Sequence, residues 1–120
     1  MNRNELINAV IDDGIEEIRH LYTRPDQRLK KEGGINGFEE CRGKSNDELV
    51  ALLTTARMAT SKARLREDPN YWGVVMYERQ IEWVLNVLSA AMLNQGDKPL
   101  IPPTVRGFNK AGNILGFVSA

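Results

Sequence analysis

Apolar residues recur along this chain with the period of an α-helix rather than with the alternation of a strand. Over residues 4–22, Ile7, Ile11, Ile15, Ile18 and Tyr22 form one apolar face, with Val10 and Leu21 at its margin. Asn2, three residues before Glu5, is placed to cap this helix. Arg24-Pro25 stops it, because the residue before a proline avoids the α region. A short helical turn over 26–31 precedes a glycine-rich loop over 33–45, which has room for one turn at 38–42.

Ser45 followed by Glu48 is a capping box and opens a second helix. Its inward stripe is Leu49, Leu52, Leu53, Ala56, Thr60 and Ala63. Asp68 as N-cap and Pro69 as the first helical residue predict the start of a third helix, with Gly96 as its stop. A helix over 70–95 is a rod of roughly 38 Å. One of its stripes holds Val74, Tyr77, Ile81, Val84, Leu85, Leu88 and Met92, and a second, nearly opposite, holds Trp72, Met76, Trp83, Val87 and Ala90. Only a narrow strip with Glu78, Arg79, Glu82, Asn86 and Ser89 is polar. A helix apolar on two sides must be covered on both, so this element is expected at the centre of the fold. Pro99, Pro102 and Pro103 make 97–103 extended, and 104–115 can form a last helix with Val105, Phe108 and Leu115 inward, a short strand or coil being the alternative. The expected architecture is all-α, about four helices bundled around the long one, in a single domain spanning residues 1–120.

Composition narrows the function classes. The 16 basic and 16 acidic residues cancel, so no global field draws the chain to nucleic acid or a membrane. No apolar run approaches the roughly 18–20 residues of a membrane span, and the charged N-terminus lacks the apolar core of a signal peptide. Cys41 is the sole cysteine, which excludes an intramolecular disulfide and agrees with a reducing compartment. The cytoplasm is the expected location.

Candidate chemistry is sparse. Gly43-Lys44-Ser45 ends like a phosphate-binding loop, but that pattern needs its first glycine where Phe38 stands, and no strand precedes it. What remains is a looser anion seat of Arg42, Lys44 and Ser45 at a helix N-terminus, with Arg106 and Lys110 as a second small cationic pair. Asp13, Glu16, Glu17 and His20 share one side of the first helix and are the candidate metal ligands. Helical magnesium-dependent nucleoside-triphosphate pyrophosphohydrolases hold their metal with paired acidic motifs, and here only Glu78 and Glu82 could supply a second pair. His20 and Cys41 are the only possible base and thiol nucleophile, and nothing in their spacing joins them. Arg57, Lys62 and Arg64 offer a cationic face to nucleic acid, without interleaved aromatic residues for base stacking. Each charged group also has a plain reading as a solvated helix face. The stripe of Trp72, Met76, Trp83 and Val87 reads as intramolecular core with the other helices packed around it or, partly exposed and joined by Met58 of the second helix, as the candidate interface, since Trp and Met are enriched where proteins meet.

The runs Gly37-Phe38-Glu39-Glu40-Cys41-Arg42-Gly43-Lys44 and Ile101-Pro102-Pro103-Thr104-Val105-Arg106-Gly107 resemble segments of small bacteriophage or prophage accessory proteins. The resemblance implies action on a host component and transfers no functional residue. The expected function is a non-enzymatic binding protein, without cofactor, working through a protein partner or a second copy of itself. The alternative is a small-ligand or nucleotide-handling protein, with a magnesium-dependent all-α phosphohydrolase as its concrete form.

Overall fold

A computed structural model describes residues 2–21 and 34–101. Among these residues the chain is all-α, with four helices and no strand: α1 (Arg3–Leu21), α2 (Asn36–Glu40), α3 (Asn46–Leu65) and α4 (Tyr71–Asn94). The C-terminal helix expected over 104–115 lies outside the described residues, as do the turn at 26–31, Arg106 and Lys110. The fourth helix observed is instead the short α2, where a single turn was expected.

Local chemistry explains most helix ends. Asn2 Oδ1 accepts the Glu5 amide at 2.8 Å and caps α1. At α3 the capping box is complete: Ser45 Oγ accepts the Glu48 amide, and the Glu48 carboxylate accepts the Ser45 amide. That amide holds the Glu48 carboxyl below its ordinary value. α4 ends in a Schellman motif, with Gly96 at φ 83°, its amide donating to Leu93 and the Asp97 amide donating to the Met92 carbonyl. The α3 terminus repeats this pattern with Glu67 at φ 51° in the left-handed position. The start of α4 departs from expectation. Asp68 is spent within the turn, its Oδ1 accepting the Asn70 amide and its carbonyl accepting from Tyr71, so the helix begins at Tyr71 rather than at Pro69.

α4 packs against α1, α2 and α3 in turn. From α1 it receives Ile7, Val10, Ile11, Ile15 and Ile18, and from α3 Leu49, Leu53 and Ala56. Phe38 of α2 and Trp83 of α4 meet edge to face, with centroids 5.7 Å apart and planes at 89°. Gly14 of α1 lies against both rings, and a Cβ there would collide with Phe38 and come within 2.6 Å of Trp83. A glycine, normally unfavourable inside a helix, is what lets α1 approach.

α2 is held by one side chain of α4. Gln80 Oε1 accepts the amides of Gly37 (2.9 Å) and Phe38 (3.3 Å), while its Nε2 donates to the Gly34 carbonyl at 2.8 Å. These contacts satisfy opening amides of a helix too short to be stable alone. They also seat Phe38 in the core.

The polar strip of α4 is where expectation and structure differ most. Glu78, Glu82, Asn86 and Ser89 are buried, together with Gln80. A helix surrounded on several sides has little solvated face left, so its polar residues fall between helices. Ser89 Oγ accepts the Leu100 amide, and Ile101 closes onto the core, so the chain after Gly96 returns to α4.

Candidate functional site

The buried polar strip defines the most distinctive surface of the molecule, a cleft between α3 and α4 of about 550 Å³. α3 contributes Arg57 and Arg64 with Thr60 and Ser61 between them, each of the two three or four residues from either arginine, so the four share a face. α4 contributes Tyr71 and Trp72 at its start, and Val75, Glu78, Arg79 and Glu82 along its length. The size falls within the usual range for ligand and side-chain pockets.

Charges of both signs meet here. Glu82 is only 7% exposed, and Arg57 Nη2 donates to its Oε2 at 3.0 Å. Glu78, one turn earlier and 9% exposed, receives no hydrogen bond or ion pair among the described residues. Arg64 lies over the Tyr71 ring, 5.9 Å from its centroid, and donates to the Tyr71 hydroxyl. Arg79 Nε is buried with no acceptor. Trp72 forms one lip, 51% exposed and packed edge-on to Tyr71. A shallower depression lined by Thr54, Arg57, Met58, Ser61 and Lys62 adjoins it, sharing Arg57 and Ser61. Met58, 55% exposed, is thereby joined to Trp72 in one surface.

The structure divides the expected apolar stripe. Trp72 and Met58 are at the surface. Met76 and Val87 are half-buried and packed against the core. Trp83 is 2% exposed and interior, which fits the core reading of the stripe and not a place in the candidate interface. The two tryptophans lie three turns apart and so on nearly the same face of α4; what differs is the cover, which Phe38 of α2 and Gly14 of α1 supply at Trp83.

The other candidate sets do not converge. Arg42 is ion-paired with Asp12 and Glu39, Lys44 Nζ donates to the Glu40 carbonyl, and the Ser45 hydroxyl is committed to its cap. Among the described residues no three His, Cys, Asp or Glu side chains gather as a metal-binding group. Asp13 and Glu16 are exposed and Glu17 half-buried, while the His20 side chain is outside the described set. Of the proposed nucleic-acid cations, Arg57 is paired with the buried carboxylate of Glu82 and Arg64 lies over Tyr71; Lys62 is exposed beside them. No described helix is long and apolar enough to cross a membrane.

Cys41 is fully buried, and its Sγ donates to the Gly37 carbonyl. Burial pushes the thiol from 9.0 up to about 12, opposed by Lys44 and reinforced by Glu40. At pH 9 the native thiol should therefore alkylate with iodoacetamide about a thousandfold more slowly than in denaturant. The fold requires the neutral thiol, so its contribution to stability is complete below pH 9 and declines between pH 9 and about 12. Native and denatured alkylation rates followed by mass spectrometry check this; equal rates would refute it.

Sequence reasoning placed Glu78 and Glu82 on the polar strip and weighed them only as a second metal-binding pair, not as residues of a cleft with α3. A signal was present: Arg57 and Arg64, seven residues apart on α3, form a complementary cationic row. Fold and site together define an all-α protein with a charged interhelical cleft. Comparison with protein-family models, with curated proteins and with solved structures finds no match.

Proposed function

We propose that this chain is a protein-binding module that docks a different protein on the α3–α4 face, with Trp72 and Met58 as apolar anchors beside the charged cleft. The observation that carries this reading is the half-bare Trp72 at the lip of the cleft, in a protein whose other tryptophan is wholly interior. Burying the remaining surface of such a side chain contributes about 2–3 kcal/mol. Tryptophan flanked by arginine is also the residue pairing that most often dominates binding energy at protein interfaces.

Photo-cross-linking in the native host tests the proposal. A benzophenone amino acid at Met58 is expected to give one discrete adduct with another protein, and the same probe at exposed Glu16 of α1 none. Trp72→Ala should lower adduct yield about tenfold. Equal labelling from both positions, or a yield indifferent to Trp72, would overturn it.

A further inference from the structure

On the floor of the cleft, Glu78 has no hydrogen-bonded or ion-paired partner among the described residues. Glu78 and Glu82 are one turn apart and both nine-tenths buried, but the Arg57 guanidinium bonds Glu82 alone. Glu78 opens onto a cavity large enough to admit a cationic side chain, and a carboxylate at that depth would attract one. The walls also suit a cation. Trp72 and Tyr71 line the same cavity; Arg64 lies over Tyr71, while the Trp72 indole, edge-on to Tyr71, is still 51% exposed. Neither Arg64 nor Arg79 has a carboxylate partner among the described residues.

We infer that the α3–α4 cleft binds an arginine side chain of the docked protein, its guanidinium bonded to Glu78 and stacked on Trp72, with an adjacent acidic residue met by Arg64 or Arg79. This rests on the proposed docking function and specifies the partner's chemistry. Arginine fits better than lysine because its planar head can stack on an indole while donating two parallel hydrogen bonds to a carboxylate. The neighbouring acidic residue follows from the two unpaired arginines, which would repel a purely basic segment.

The test needs no knowledge of the partner. The full chain is titrated with acetyl-Glu-Arg-amide while the indole N–H resonance of Trp72 is followed by NMR. Saturable movement of that signal is expected. Acetyl-Glu-Gln-amide should bind about tenfold or more weakly, and Glu78→Gln should weaken binding of the arginine peptide to a similar extent. The peptide comparison uses the unaltered protein, so it stands whether or not the variant folds. No saturable shift, or equal binding of the two peptides, overturns the inference. The cross-linking readout separates the two levels. If Glu78→Gln leaves the Met58 adduct intact while Trp72→Ala removes it, the docking function stands and the arginine seat falls. If neither substitution changes the adduct, both fall.

Discussion

Trp83→Ala is expected to remove about 4 kcal/mol of folding stability, whereas Trp72→Ala removes less than about 1 kcal/mol. The two residues share a helix and a chemical type but not an environment. Trp83 is 2% exposed, stands edge-on to Phe38, and is the surface against which Gly14 brings α1 to rest. Truncation would leave a ring-sized void where three helices meet, and a rigid glycine contact leaves little scope for collapse. Trp72 loses only its contact with Tyr71. Trp83→Phe sharpens the comparison. The Trp83 indole N–H is buried without an acceptor among the described residues, so phenylalanine discards an unsatisfied donor along with some packing, and the net loss should be about 1 kcal/mol. Guanidinium unfolding monitored by circular dichroism measures all three. Equal losses for Trp72→Ala and Trp83→Ala would refute the assignment of one to surface and the other to core.

Gln80→Leu is expected to cost about 3 kcal/mol although the side-chain volume barely changes. The native amide accepts from Gly37 and Phe38 and donates to Gly34. Leucine offers none of these, and three backbone groups are left without partners in a space closed to side-chain substitutes, since a Cβ at Gly37 would come within 2.5 Å of the Tyr77 carbonyl oxygen. Gln80→Glu keeps the acceptor and loses the donor at neutral pH, so its cost should be intermediate. Denaturant midpoints give the ranking. Hydrogen exchange locates the cause: the Gly37 and Phe38 amides should lose protection in Gln80→Leu while those of central α3 keep theirs. Protection of the two amides unchanged by the substitution would refute the clamp.

The Gln80 clamp marks where reading the sequence reached its limit. A turn near Phe38 was legible from the glycines around it, and so were the capping box at Ser45 and the glycine stop at Gly96, because each depends on a few neighbouring residues. The doubly apolar character of α4 correctly implied cover on more than one side. Which polar residues would lie beneath that cover was not legible. Glu78, Gln80 and Glu82 look alike in sequence, yet one lines a cleft with no partner among the described residues, one clamps α2 and one pairs with Arg57. The candidate interface was half legible for the same reason. Trp72 and Met58 reach the surface, and Trp83 does not, because α3 ends opposite one part of the stripe while α2 and α1 close over another.

By itself, then, the order of residues determined the three long helices, most of their ends and their apolar faces, since these follow from dihedral preference, capping and a period of 3.6. Only the tertiary structure decided which faces met and what was trapped between them. Burial and charge pairing are set by residues such as Arg57 and Glu82, far apart along the chain. Their free energies depend on a separation that no local pattern contains.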